Sequence, residues 1–229
     1  MGAEPGLPER LAAVRAGIAR AAGEAGRDPG ELTLVVVTKF QPVQLIRELI
    51  ELGVYDFGES RHPEAAQKAA AIEAEYGPGL VRWHFVGQIQ GNKARQIARY
   101  TDVVHSLDRP RLVQPLLDAG PPPDVFLEVN LTDDPARGGV APEGLPELAR
   151  LASAAGLRVR GVMGVAPRDE DPAQAFARLA RSGVRLREIV PDATELSAGM
   201  SGDYRQAIAA GATHLRIGTA ITGNRPVPR

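Results

Sequence analysis

The sequence predicts an α/β fold, a single (β/α)8 TIM barrel with an extra N-terminal helix. Eight short apolar segments alternate with segments of helical periodicity along the 229 residues, which is typical of parallel strands joined by right-handed helical crossovers. Eight such units in a chain of this length point to one closed barrel, and we expect a single domain over residues 1–229. The alternative is an open, doubly wound sheet, which is disfavoured because no Gly-x-Gly-x-x-Gly fingerprint follows the first strand.

The elements can be assigned in order along the chain. The extra helix spans 8–27, where Leu11, Val14 and Ile18 recur at helical spacing. The first strand is LTLVVVTK at 32–39, whose first seven residues are apolar or β-branched and suit a strand buried on both faces. The other predicted strands span 54–57, 81–86, 103–107, 125–131, 157–165, 195–197 and 213–217. The helices between them span 43–52, 63–76, 94–100, 110–119, 145–155, 173–188 and 204–210, most of them ended by a glycine.

Composition narrows the possible classes of function. Lys and Arg number 27 and Asp and Glu 28, a net charge of −1 that gives no sign of nucleic-acid or membrane-surface binding. The absence of cysteine excludes disulfides and thiolate chemistry and is compatible with the cytoplasm. The N-terminus lacks the apolar core of a secretory signal, and no apolar run reaches membrane-spanning length. The four histidines have no metal-binding spacing, so we expect no metal site.

Lys39 is the first candidate for chemistry. It closes the first buried strand, at the carboxyl end where α/β folds place their active sites. A partly desolvated amine at that rim can act as a nucleophile. The alternative is that Lys39 is simply the first solvated residue after the strand.

The loops after the seventh and eighth strands provide a second signal. Ser197 begins the run SAGMS, and Gly218 and Thr219 follow the last strand. These loops of a barrel often bind phosphate, because glycines admit backbone N–H groups close to the oxygens and hydroxyls add donors. Arg216 lies two residues before Gly218, so strand alternation places both on the same side. Inside the barrel Arg216 would be a buried charge in need of a ligand; outside it would pair with a helix carboxylate.

A lysine at one strand end and phosphate loops at two others suggest a ligand that carries an aldehyde and a phosphate. Pyridoxal 5′-phosphate (PLP) has both groups. A Schiff-base aldolase acting on a sugar phosphate would use similar parts, so the two interpretations stay open at this point.

Eight motifs then appear in order along nearly the whole chain. They are VVVTKFQP at 35–42, FGES at 57–60, WHFVGQIQGNK at 83–93, VHSLD at 104–108, EVN at 128–130, GVMGVAP at 161–167, LSAGMS at 196–201 and RIGTAITG at 216–223. With these motifs the sequence resembles the PLP-binding proteins of the YggS/PROSC type, the PLP homeostasis family.

The resemblance implies a fold-type III barrel similar to the N-terminal domain of alanine racemase, without that enzyme's second, β-rich domain. It also implies that Lys39 forms the internal aldimine, that Ser197, Gly218 and Thr219 hold the phosphate, and that Arg216 faces the pyridine nitrogen. The other residues that it assigns to the cofactor site are Met200, Ser60, His84 and Met163.

The sequence departs from the family pattern at a few positions near these motifs. Ser60 stands where the family often has Asn, Ala198 replaces a Met, and Thr222 replaces an aromatic residue. Arg137 stands where a lysine is frequent. Ser60 and Thr222 are expected to loosen packing around the cofactor, while the lysine and the phosphate loops are retained.

Three hypotheses of function follow. The first is a cytoplasmic, monomeric protein that holds PLP reversibly, takes part in vitamin B6 and amino-acid homeostasis, and passes PLP to apo-enzymes. An arginine beside the ring nitrogen cannot accept its proton, which disfavours carbanion chemistry and makes a catalytic reaction the weaker interpretation. The second is a PLP-dependent racemase or lyase, although the tyrosine base of such racemases belongs to the domain missing here. The third is the PLP-independent aldolase.

Overall fold

The computed structural model describes residues 5–224. Eight parallel strands form a closed barrel in sequence order, with the eighth paired to the first. The strands are β1 (Thr33–Val37), β2 (Asp56–Glu59), β3 (Arg82–Phe85), β4 (Val103–Leu107), β5 (Asp124–Glu128), β6 (Val159–Met163), β7 (Glu195–Ser197) and β8 (His214–Ile217). The predicted (β/α)8 barrel is therefore confirmed. The first four and last five residues of the predicted 1–229 domain lie outside the described residues.

Helices surround the barrel. They are α1 (Leu7–Glu24), α2 (Val43–Glu51), α3 (Glu64–Tyr76), α4 (Ala94–Ala98), α5 (Val113–Leu117), α6 (Leu145–Ala154), α7 (Pro172–Arg187), α8 (Tyr204–Ala209) and α9 (Thr219–Thr222). The extra helix α1 buries Leu11, Val14 and Ile18 and packs against α8 and α9. Across residues 5–224, none of the helices combines the length and apolar character needed to cross a membrane.

Several elements differ from the prediction at their ends. β5 stops at Glu128, in register with Met163 at the end of β6, and Met163 pairs in turn with Ser197 at the end of β7. The predicted strands continued past Glu128 and Met163 because the following residues are largely apolar. In the structure these residues leave the sheet, since the pairing of β5, β6 and β7 ends at Glu128, Met163 and Ser197. The predicted helix 110–119 divides into a 3-10 turn and α5, and the short helix α9 was not predicted. Residues just past the strand ends form the mouth of the barrel.

The interior of the barrel is polar. Such interiors are usually filled by branched apolar side chains. Here several buried polar side chains of β3, β4, β7 and β8 lie close to one another, namely His84, His105, Ser197, His214 and Arg216. β4 and β7 are not neighbours, so the hydrogen bond between His105 and Ser197 crosses the interior. The large apolar core lies instead between the barrel and its helices.

Candidate functional site

Lys39 stands at the mouth of the barrel, two residues past the end of β1. Its side chain is exposed, which differs from the partly desolvated position that the sequence suggested. The backbone on both sides of it is held: Lys68 Nζ donates to the carbonyl oxygen of Thr38 at 2.9 Å, and the N–H of Phe40 donates to Glu64 Oε1 at 2.8 Å. Phe40 also has a φ of 66°, uncommon for a residue other than glycine. The amine is therefore presented to solvent from a fixed segment.

A buried cluster of charged side chains holds the backbone around Lys39. Lys68 on α3 is buried and donates to Glu59 Oε1 at 2.8 Å and Glu64 Oε1 at 2.7 Å. Burial raises the pKa of Glu59, although its contacts with Lys68 oppose that change. Burial also tends to raise the pKa of Glu64. There the hydrogen bond and the charge of Lys68 have the larger effect, so the pKa of Glu64 is lowered. The sequence analysis missed Lys68; its signal was a lysine four residues after Glu64 on an otherwise Ala-rich helix.

Ser201, rather than Ser197, lies with the loop that follows β8. The hydroxyl of Thr219 donates to Ser201 Oγ at 3.3 Å, and the N–H of Ala220 donates to the same oxygen at 3.2 Å. Gly218 immediately precedes this pair of groups in the chain. Two hydroxyls, those of Ser201 and Thr219, thus meet beside a glycine turn at the mouth. The second serine of SAGMS was the overlooked signal.

The structure places Ser197 in the interior, so its assignment to the phosphate loops is corrected. The residue ends the three-residue strand β7 and is fully buried. Its hydroxyl lies 2.5 Å from Arg216 Nη1 and 2.8 Å from His105 Nδ1. Because side chains alternate across a strand, Ser197 points into the barrel and cannot join the loop that begins after it.

Arg216 lies inside the barrel, so of the two positions that the sequence left open the structure shows the inner one and not a pairing with a helix carboxylate. Only 5% of its surface is exposed. Besides the bond to Ser197, Nη2 donates to the carbonyl oxygen of Gly164 at 3.0 Å. Burial lowers the pKa of Arg216 to about 10, while the more distant charges of Glu128 and Asp203 oppose that change. Among residues 5–224, no carboxylate forms an ion pair with this guanidinium.

A chain of hydrogen bonds continues from Ser197 to the far end of the barrel. His105 Nε2 lies 2.9 Å from His84 Nδ1, and His84 Nε2 lies 2.9 Å from Asp56 Oδ1. Asp56 is the first residue of β2, at the amino-terminal end of the barrel. His84, assigned by resemblance to the cofactor site, is thus separated from Arg216 by both Ser197 and His105. The sequence contains each of these residues, but it did not indicate that hydrogen bonds join them.

The remaining predicted site residues occupy different surroundings. Met163 is buried at the end of β6 and packs with Phe126 inside the barrel. Ser60 follows β2 and is closely packed against Gly87, where an added Cβ would lie 2.7 Å from the Cβ of Ser60. Met200 is 40% exposed, and its N–H donates to Asp203 Oδ1 at 2.5 Å. Met163 and Ser60 therefore lie at strand ends near the mouth, and Met200 lies outside on the loop.

Glu128 is a further polar group at the carboxyl end of β5. Its Oε2 atom is buried, and residues 5–224 offer it no hydrogen-bond partner. Burial raises the pKa of Glu128 to about 7, the charge of Asp108 adds to the rise, and the charges of Arg216 and Arg109 oppose it. Within the described residues, no group of three or more His, Asp or Glu side chains is arranged to hold a metal ion.

Comparison of the sequence with known proteins identifies the family of this chain. The chain matches the family model of the alanine racemase N-terminal domain over residues 10–226. A pyridoxal phosphate homeostasis protein of Mycobacterium tuberculosis is 40% identical to it, over 97% of this chain and 94% of the relative. The chain belongs to the pyridoxal phosphate homeostasis protein family.

Two further comparisons agree with this membership. The pyridoxal phosphate homeostasis protein of Pseudomonas aeruginosa is 41% identical, over 96% of each chain. The structure of PipY from Synechococcus elongatus PCC7942, solved with PLP bound, has a TM-score of 0.78 and 32% identity, covering 95% of this chain and all of PipY. The family resemblance indicated by the motifs is confirmed, and so is the alanine-racemase-like barrel.

Proposed function

We propose that this protein binds PLP through Lys39 and takes part in PLP and amino-acid homeostasis. The observation that carries the proposal is Arg216, a buried guanidinium whose hydrogen bonds in the described structure go to neutral oxygens of Ser197 and Gly164. A buried charge with neutral partners alone is costly, and a ligand acceptor at the mouth would stabilise it. The name shared by the relatives and the PLP bound to PipY support the same ligand.

The residues at the mouth fit the three reactive parts of PLP. The exposed amine of Lys39 can combine with the aldehyde. The hydroxyls of Ser201 and Thr219, 3.3 Å apart on the loops after β7 and β8, can donate to the phosphate. The guanidinium of Arg216 can donate to the ring nitrogen. Met163 and Ser60 remain proposed neighbours of the cofactor, and Met200 a more distant one.

The same residues favour holding PLP over using it in catalysis. PLP supplies an aldehyde that captures amines and, when its ring nitrogen is protonated, an electron sink. Arg216 offers only donors. A pKa lowered to about 10 by burial still leaves its guanidinium charged at neutral pH, so it cannot take a proton from the ring. A ring nitrogen that faces Arg216 is therefore held unprotonated.

We propose further that the protein acts in the cytoplasm as a monomer and passes PLP to apo-enzymes. The exposure of Lys39 supports transfer, because an acceptor protein can approach the amine without opening the barrel. The sequence without cysteine and with a net charge of −1 supports a cytoplasmic protein that binds neither nucleic acid nor membrane surfaces.

The test is the ultraviolet–visible spectrum of the purified protein with PLP, before and after borohydride, with the modified peptide located by mass spectrometry. We expect a visible band that borohydride removes and a pyridoxyl group on Lys39. Lys39→Ala should lose the band, whereas Lys93→Ala, the control, should keep it. A pyridoxyl group on Lys93 or Lys68 would contradict the assignment of the lysine. The absence of any band would leave the aldolase as the better hypothesis.

A PLP-dependent racemase or lyase is the second candidate, and Glu128 is the observation that favours it. A buried carboxyl group with a pKa of about 7 at the carboxyl end of β5 has the properties of a general acid or base. Turnover of a panel of D- and L-amino acids by the PLP-loaded protein would support this candidate. We expect no turnover, because of Arg216.

A further inference from the structure

The hydrogen-bond chain through the barrel has ends of opposite character. At the mouth, Arg216 has only donors, so Ser197 Oγ must accept from it at 2.5 Å. At the other end, the carboxylate of Asp56 only accepts, so His84 Nε2 must carry a hydrogen. Burial tends to raise the pKa of Asp56, but that pKa is lowered, and both the hydrogen bond from His84 and the positive charge of Arg82 act in this direction, so the carboxylate is ionised.

Neutral imidazoles leave one arrangement of hydrogens between these ends. If His84 carries its hydrogen on Nε2, then Nδ1 accepts from His105 Nε2 at 2.9 Å. His105 Nδ1 must then accept as well, and the hydroxyl of Ser197 donates to it at 2.8 Å. Ser197, His105 and His84 each receive one hydrogen bond and donate one, so none of their polar hydrogens is left without a partner.

The alternative is a doubly protonated His84, which would reverse the two inner bonds. His105 would then donate to Ser197, whose oxygen would accept from both His105 and Arg216 and whose own hydrogen would have no partner in the chain. The surroundings of His105 oppose a cation next to it: His105 is fully buried, its ring centroid lies 5.1 Å from that of His84 and 6.0 Å from that of His214, and Arg216 and Arg160 add positive charge.

We propose that Ser197, His105 and His84 form a one-way hydrogen-bond chain that couples Arg216 to Asp56 and holds the guanidinium in its orientation. In this chain both imidazoles are neutral and protonated on Nε2. Each bond is polarised in the same direction, from the cation at the mouth to the anion at the opposite end, so the chain offsets part of the buried charge of Arg216. Ser197, His105 and His84 are positioning residues that act through Arg216.

Aromatic packing holds the ring of His105 in place. The ring of His105 stacks on Phe126 with centroids 4.6 Å apart, and Phe126 meets His214 edge-on at 5.1 Å. A half-turn of the His105 or His84 ring would break the two hydrogen bonds that the ring makes. All of these contacts lie within the protein, so the hydrogen-bond chain can be tested without PLP.

The first test is nitrogen NMR of the histidine rings in the PLP-free protein at neutral pH. The sequence has only four histidines, so the signals can be assigned with His62→Gln, His84→Gln and His105→Gln. We expect His84 and His105 to be neutral and protonated on Nε2. A doubly protonated ring, or a hydrogen on Nδ1 of either ring, would overturn the proposal whether or not the protein binds PLP.

The second test asks whether the chain acts on Arg216, and it rests on the proposed function. Ser197→Ala is compared with Ser106→Ala, a control that removes another buried hydroxyl, bonded to the carbonyl oxygen of Gly87 at 2.5 Å. Affinity is measured for PLP and for its analogue with carbon in place of the ring nitrogen. We expect Ser197→Ala to weaken PLP binding about tenfold, the loss typical of one hydrogen bond to a charged group, and to leave the analogue unchanged.

The outcomes of this second test are distinct. Ser106→Ala should change neither affinity. An equal loss for PLP and the analogue would mean that Ser197 has only a general packing role, and would overturn its action through Arg216. If the wild type bound neither ligand, the proposed function would fail, while the NMR result would still decide whether the chain exists.

Discussion

The hydroxyl of Ser197 lies 2.5 Å from Nη1 of Arg216, inside the barrel at the carboxyl end of β7 and not among the loops at its mouth. Both residues belong to motifs that the sequence analysis linked to one ligand, but their functions differ. Ser197 accepts a hydrogen bond from the guanidinium of Arg216. Ser201, and not Ser197 as the sequence suggested, contacts Thr219.

Ser201→Ala should weaken PLP binding about tenfold or more, because a hydrogen bond to a charged phosphate is worth about 1.5–3 kcal/mol. The affinity for pyridoxal, which has no phosphate, should not change. Fluorescence or absorbance titration with both ligands measures the effect, and Ser153→Ala on the exposed side of α6 is the control. An equal loss for both ligands would remove Ser201 from the phosphate site.

Lys68→Met should lower the free energy of unfolding by about 3–5 kcal/mol, because it leaves the buried carboxylate of Glu59 without its cation. Urea denaturation measures this, and Lys93→Met, at a lysine with no ion pair in the described structure, should cost far less. The double variant Glu59→Gln/Lys68→Met should recover part of the loss. If the double variant were no more stable than Lys68→Met, the uncompensated charge would not be the cause.

Glu128→Gln should make the protein more stable at pH 8 and leave its stability at pH 4 nearly unchanged. The pKa of Glu128 is raised to about 7 in the folded chain, so folding binds its proton more tightly and the wild type loses stability as the pH rises from about 4.5 to 7. The gain at pH 8 is at most about 3.5 kcal/mol, at about 1.4 kcal/mol per pKa unit.

Urea denaturation at the two pH values checks this prediction. Glu143→Gln, at an exposed position, is the matched control and should show no such pH dependence. A Glu128→Gln variant that loses stability at pH 8 would show that the carboxylate has a stabilising partner.

Arg216→Glu should convert a holder of PLP into a slow catalyst, provided that the variant still folds and binds PLP. A carboxylate beside the ring nitrogen favours its protonation and restores the electron sink. We expect the visible band of the bound cofactor to decay when an amino acid is added to this variant, and to persist in the wild type. Arg216→Gln, which brings no carboxylate, should behave like the wild type. Fast amino-acid turnover by the wild type would contradict the holder model.

Much of this protein follows from local patterns in its sequence. The alternation of apolar strands with amphipathic helices determined the barrel, because the period of an element decides which faces it can bury. The same period-two rule placed Arg216 and Gly218 on one side of their strand without deciding that this side faces the interior, and the position after a buried strand placed Lys39 at the mouth. The ends of strands were less predictable, since the apolar residues after Glu128 are buried without belonging to the sheet.

Contacts between distant parts of the chain were decided only by the tertiary structure. The sequence could not show that Lys68 holds the backbone beside Lys39, because that requires α3 to lie over β1 and β2. The sequence also could not show that His105 and Ser197, which are 92 residues apart along the chain, form a hydrogen bond. Side-chain hydrogen bonds reach about 3 Å, so their partners are chosen only when the barrel closes and brings non-adjacent strands face to face.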